Sequence, residues 1–188
     1  MKKTCIWPGN DELMHQYHDE EWGVPVHDDR KHFEFIVLDT FQAGLSWKTI
    51  LYKRENFRKA FAGFDMKKIA KFDEDKIQLL MQDAGIIRNQ LKIRATVSNA
   101  IAFMAIQKEF GSFNDYIWQF VNGKTIHNTY AEHKGIPATS AESDAMSKDL
   151  YKRGFKFVGS TICYAYMQAA GMVNDHLKDC FRYKEVKK

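Results

Sequence analysis

Four side chains that favour soft metal ions sit at opposite ends of this chain: Cys5 and His18 near the start, His176 and Cys180 near the finish. His176 and Cys180 are four residues apart. On one helical turn that spacing puts both on the same face, and a thiolate beside an imidazole is half of a tetrahedral zinc site. If Cys5 and His18 supply the other half, one ion ties the two ends together and everything between them is a closed loop. Spacing alone leaves the plainer reading open. An isolated H-x3-C is usually accidental, a buried cysteine is mostly a small apolar residue, and twelve residues between Cys5 and His18 match no compact zinc knuckle. The third cysteine, Cys163, lies in the apolar run STICYAYMQAAGM and reads as core. The odd cysteine count argues against a purely disulfide-bonded fold.

At 188 residues the chain is long enough for a real core and short enough to be one domain, residues 1–188. The first 23 residues hold no apolar segment of the secretory kind, and no run has the length to span a bilayer. The expected setting is the cytoplasm, with no membrane partner. Net charge is +4, which permits a nucleic-acid partner without requiring one. Acidic residues crowd the first 34 positions. Basic ones gather at Lys53, Arg54, Arg58, Lys59, at Arg88, Lys92, Arg94, and at Lys148, Lys152, Arg153, Lys156.

Only three prolines occur, so long helices are unobstructed between them. The opening is aromatic, with Trp7, Tyr17 and Trp22 before the turn GVPV; it reads as ordinary core or as a pocket wall. Asp28 or Asp29 can cap a helix whose buried stripe is Phe33, Ile36, Val37 and Phe41. Asp39 lies within that apolar helix, either on its outer face or held for function. Gly44 breaks the helix, and Ser46 caps the next, read as running through residues 47–64. Ala43-Gly44-Leu45 is then a tight turn that presents one leucine.

Residues 65–72 form a short helix. DEDKIQLLMQDAG forms another, with Ile77, Leu80, Met81 and Ala84 inward and Gly85 as the stop. A long helix follows, ended by Gly111. The unit 74–103 is thus helix, glycine-containing hairpin, helix. Such a hairpin leaves backbone amides at the second helix start, where phosphate binds well, and Arg88 and Lys92 flank it. Residues 112–123 read as an aromatic helix and 124–143 as a loop. Ser140 and Ser143 open a helix with a capping box. STICYAYMQAAGM is a central buried helix, and the basic tail YKEVKK is frayed. With no strand-period segment, internal repeat, or Walker or Rossmann loop, the chain reads as all-α.

YHDEEWGVP (17–25), QAGLSW (42–47), QDAGIIRNQLKI (82–93) and KRGFKFVGSTICYAYMQAAGMVNDH (152–176) resemble the type I 3-methyladenine DNA glycosylases of the helix-hairpin-helix superfamily. The similarity runs from about Cys5 to Cys180. It implies a structural zinc ion held by Cys5, His18, His176 and Cys180. It also implies a flipped-base pocket with Tyr17 and Trp47 as stacking residues and Trp7 and Trp22 as wall. Gly44-Leu45 would probe the gap left in the duplex, and the hairpin around Gly85 would grip phosphates. One position departs. The family's pocket glutamate, which reads the adenine edge, is Asp39 here, shorter by one C–C bond of about 1.5 Å.

The implied partner is double-stranded DNA carrying alkylated bases. The implied product is free 3-methyladenine, and nothing demands more than a monomer. An alternative is a paralogue that binds damaged DNA with altered specificity or without catalysis. A zinc-stapled interaction module with plain core aromatics is the reading from another class.

Overall fold

In the computed structural model, which describes residues 3–187, one device starts most of the helices: a short polar side chain accepts an amide of the first turn. Asp11 caps α1 (Glu12–Glu20), accepting from Met14 at 3.0 Å. Asp28, rather than Asp29, caps α2 (Asp29–Gln42). Ser46 caps α3 (Trp47–Tyr52), and α4 (Arg54–Ala60) follows without a side-chain cap. Asp65 caps α5 (Met66–Ile69) and Asp73 caps α6 (Glu74–Gln82). Asn89 caps α7 (Gln90–Phe110), and Ser112 caps α8 (Phe113–Ile117). After the bridge residues β1 (Ile126–His127), Ser140 opens α9 (Ala141–Lys152) with the expected Ser143 capping box. Then come α10 (Ser160–Ala169), β2 (Val173–Asn174) and α11 (Phe181–Glu185). Each such cap stabilises by about 1 kcal/mol.

The core is built around α2, which packs against α3, α7, α8 and α10. Phe33, Phe35, Leu38 and Phe41 are fully buried. The burial extends past the expected stripe to every residue from His32 to Phe41. Two carboxylates are therefore inside. Glu34 is matched by Arg54 at 2.8 Å and Arg58 at 2.9 Å, the pairing a buried charge requires. Asp39 has no such partner. Asp29, freed from capping its own helix, accepts the Phe113 and Asn114 amides at 2.9 and 2.8 Å and so ties α2 to the start of α8.

Several expectations change. The helix read over 47–64 is two helices meeting at Lys53, followed by a 3-10 turn at Ala62–Phe64. The break carries Arg54 inward to Glu21 and Glu34, while the Lys53 Nζ reaches the Ala84 and Gly85 carbonyls. The aromatic helix over 112–123 tightens into a 3-10 turn after Ile117. Gly85 is not a left-handed stop. α6 already ends at Gln82, Met81 is half-buried and Ala84 exposed. The position is crowded: a Cβ would lie 2.9 Å from Asp83 Oδ1 and 3.1 Å from Asn56, so those side chains would have to shift. Gly44, by contrast, does occupy the left-handed region, at φ +80°.

β1 and β2 form a parallel bridge, with Ile126 opposite Val173 and His127 opposite Asn174. It moors the start of the segment read as loop. His176 and Cys180 do not share a helical turn. They follow β2 in a turn, and Cys180 is the N-cap of α11. The tail expected to fray is helical to Glu185, and Lys188 lies outside the described residues. α10 is buried in its later turns but open in its first. Among the described residues no helix is long and apolar enough to cross a membrane.

Candidate functional site

α1 ends with two adjacent side chains that point into different sites. Tyr17 faces a cavity of 560 Å³ that it shares with Trp7, Trp22, Asp39, Gln42 and Trp47. His18 faces Cys5, His176 and Cys180. Tyr17 and His18, adjacent near the end of α1, therefore couple the two sites through one short helix.

The aromatic wall is continuous. Trp7 and Trp22 meet edge to face at 5.2 Å between ring centroids, and Trp7 approaches Tyr17 at 6.3 Å. Tyr17 and Trp47 lie 5.0 Å apart with planes tilted by 46°. They touch one another, so a base between them requires the half-buried Trp47 ring to swing outward. That ring stands on the first turn of α3, directly after the Gly44–Leu45 turn.

Asp39 is 2% exposed, and its Oδ2 has no hydrogen-bond partner within the protein. Burial pushes its carboxyl well above the usual carboxylate range. The indole N–H groups of Trp7 and Trp47 are likewise buried without acceptors. Orphaned buried polar groups are rare in native proteins and call for a partner from outside. One acidic acceptor among aromatic faces suits a flat, electron-poor ring that carries N–H donors along one edge.

The cavity has a further wall that the sequence did not reveal. His133, Lys134 and Ile136 to Ala138 close one side, and Gln168 of α10 closes another. Only Gln42, inside QAGLSW and one turn beyond Asp39, carried a local signal. The 133–138 segment reaches the cavity because the β1–β2 bridge holds the chain just before it.

Cys5, His18, His176 and Cys180 are all buried, and their candidate ligand atoms lie within 4.8 Å of one another. His18 Nε2 and His176 Nδ1 are 3.1 Å apart; Cys180 Sγ is 3.6 and 3.7 Å from them, and Cys5 Sγ is 3.9 Å from His176 Nδ1. Zinc bonds of about 2.0 Å to nitrogen and 2.3 Å to sulfur give tetrahedral ligand separations of about 3 to 4 Å, so the donor set fits that ion in type and spacing. The outer ring nitrogens are oriented as ligands require. His18 Nδ1 meets Asp19 Oδ1 at 2.6 Å, and His176 Nε2 meets the Trp22 carbonyl at 2.9 Å.

The expected DNA-facing residues divide. Leu45 is 42% exposed at the tip of its turn. Arg88 is exposed on the hairpin beyond Gly85. Lys92 is not presented to solvent as expected. It is buried, and its Nζ donates to the Phe41 carbonyl at 3.0 Å and the Ala43 carbonyl at 2.6 Å. Burial lowers its pKa. The last carbonyls of α2 lack helical partners, and this ammonium satisfies them, locking the second hairpin helix to the Gly44–Leu45 turn. Lys92→Met should cost about 2 to 3 kcal/mol of stability through lost charged hydrogen bonds, read as a lower urea midpoint at unchanged m. An unchanged midpoint would mean the clamp contributes nothing. Of the other expected basic clusters, Arg54, Arg58, Arg94 and Arg153 are engaged in ion pairs with acidic side chains.

The model of the methyladenine glycosylase family matches residues 7–183. The DNA-3-methyladenine glycosylase 1 of Escherichia coli (strain K12) is 49% identical over 181 residues, 96% of this chain and 97% of that protein. A crystal structure of a 3-methyladenine DNA glycosylase I superposes with a TM-score of 0.93 at 50% identity, over 95% of this chain and 98% of that one. A variant of such an enzyme solved in complex with 3-methyladenine gives 0.92 at 34% identity, over 95% and 96% of the two chains. With the family model spanning nearly its whole length, this chain belongs to the methyladenine glycosylase family.

Proposed function

We infer that this protein is a DNA-3-methyladenine glycosylase of base-excision repair. It hydrolyses the N-glycosidic bond of 3-methyladenine in alkylated DNA, releasing the free base and leaving an abasic site. The observation that carries the reading is Asp39: a buried carboxylate with a partnerless oxygen, set in an aromatic cavity with room for a base.

N3-methylation leaves the adenine ring cationic within the nucleotide, so the base departs as a neutral molecule without protonation. The damaged nucleotide leaves the duplex and enters the cavity. Tyr17 and Trp47 stack on its faces, with Trp7 and Trp22 as the surrounding wall. Asp39 accepts a hydrogen bond from the adenine edge, and its charge favours the cationic base and the oxocarbenium sugar that forms as the bond breaks. The bonding pair goes to the base nitrogen. Water then adds at the sugar carbon and loses a proton. No protein amine enters the reaction, so strand cleavage is not part of it. Leu45 fills the vacated space in the duplex, while the hairpin around Gly85 and Arg88 holds the backbone.

Cys5, His18, His176 and Cys180 hold zinc in this reading. Four protein ligands would leave no position for water, so the ion would supply structure and no chemistry. The protein works as a monomer on cytoplasmic DNA, as a single domain with α6 and α7 as its helix-hairpin-helix element.

The test is single-turnover release of 3-methyladenine from methylated duplex, run beside Asp39→Glu. The natural protein is expected to release the base, with the glutamate form within about tenfold of it. A misplacement of one bond length can cost about 10²-fold, so a glutamate form faster by that factor marks a natural protein of altered specificity. Absence of release from either form removes the enzyme assignment.

A further inference from the structure

Phe157 holds a backbone conformation that bulky residues avoid, at φ +56°, and yet the residue is 37% exposed. Strain of that kind persists only where the surroundings over-determine it, and it gathers at ligand-contacting positions. Phe64 offers the contrast. It too has positive φ, at +59°, but its ring is almost wholly buried, and packing offsets the strain. Phe157 has no comparable burial.

Its backbone is held firmly. Asn99, buried on α7, accepts the Lys156 amide at 2.8 Å and donates to the Lys156 carbonyl at 3.1 Å. Cys163 donates its thiol to the Val158 carbonyl on the other side. Phe155, two residues earlier, is fully buried and anchors the segment. The ring is thus fixed toward solvent rather than loosely placed there.

What it lies beside gives it a use. The Lys92 ammonium sits 6.0 Å from the Phe157 ring centroid and at the same time binds the Ala43 carbonyl. One ammonium therefore separates this ring from the turn that carries Leu45. The ring also borders an open groove with Leu91, Arg94 and Lys156, next to the α7 start that follows the hairpin. A partly exposed aromatic beside the exposed Lys156, between the hairpin and the Leu45 turn, suits a nucleic-acid strand.

We propose that Phe157 is a second duplex-contacting residue of this enzyme, which packs on the DNA beside the site probed by Leu45. The inference rests on the glycosylase reading above and adds to it a contact outside the base pocket.

The experiment compares Phe157→Ala, Phe157→Gly and Phe157→Tyr. The probe is a fluorescein-labelled duplex containing one tetrahydrofuran abasic analogue. Phe157→Ala and Phe157→Gly are expected to weaken binding about tenfold or more, the scale of a lost base-aromatic stack. Phe157→Tyr should bind within about twofold of the natural protein. Affinity for free 3-methyladenine, followed by tryptophan fluorescence, should be unchanged in all three. Phe157→Gly should melt higher than the natural protein, because glycine adopts positive φ without strain. Duplex binding unchanged in the alanine and glycine forms overturns the inference. So does a parallel loss of affinity for the free base, which marks a purely structural role. Excision from methylated duplex by the natural protein is scored separately: its absence sinks the glycosylase reading, whereas excision with unaltered duplex binding by the variants sinks this proposal alone.

Discussion

Asp39→Asn is expected to lower the rate of 3-methyladenine release by about 10²- to 10³-fold, the usual loss when one electrostatic partner of a transition state is removed, and to raise the melting temperature. Both effects come from the same burial. The carboxyl is 2% exposed with a partnerless oxygen, and burial raises its pKa in the folded protein. A folded pKa above the unfolded one means that the favourable contribution is fully present below the unfolded pKa and is lost as pH rises through the folded one. At neutral pH the natural protein therefore carries a cost that asparagine lacks. The expected gain is about 1 to 3 kcal/mol, a few degrees for a chain of this size, and it shrinks as pH falls and Asp39 takes up its proton. The rate has the opposite dependence. Asp39 must be ionised to accept from the base edge, so release by the natural protein should rise with pH through the raised pKa, and Asp39→Asn should lack that limb. An asparagine form that is both slower and less stable would show that Asp39 is structural.

The second large effect is at the four residues that would hold the metal. Cys180→Ser should abolish stoichiometric zinc and lower stability by about 4 kcal/mol, roughly 10 °C. Metal analysis and melting curves with and without a chelator measure both. Affinity for the free base should fall as well, before global unfolding. The reason lies in the shared wall: Trp22 packs edge to face on His176 at 4.7 Å, and Trp7 packs on His18 at 5.4 Å. Cys180 is the thiolate of its pair, held low by the hydrogen bond from Cys5 and by the imidazoles facing it. Natural protein that purifies without zinc and melts identically in chelator would remove the metal from this account.

The helices were legible because their signals are local. Asp28, Ser46 and Ser140 each cap within three residues, as their place before a helical pattern led one to expect, whereas α1, capped by Asp11, was not foreseen in the aromatic opening. The left-handed Gly44 and its projecting Leu45 were legible for the same reason. The family resemblance named Tyr17, Asp39, Trp47 and the four Cys and His residues of the candidate metal cluster, but not the 133–138 wall or Gln168. Their meeting could not be derived from spacing, since Cys5 and His176 are brought together only by the folded core.

What the tertiary structure alone decided is where polar groups find partners. Lys92 looked like a phosphate ligand from its place beside a hairpin; it serves the α2 carbonyls because those carbonyls end a helix in front of it. Arg54 and Arg58 stand in a basic cluster in the sequence, and the fold turns both onto the buried Glu34. The break at Lys53, the β1–β2 bridge and the 133–138 wall arise from contacts between segments distant along the chain. Helix propensity and capping depend on neighbours within a turn or so, and a sequence states them directly. Burial, and the pairing that burial compels, depends on which surfaces close over a residue, and only the assembled fold fixes that.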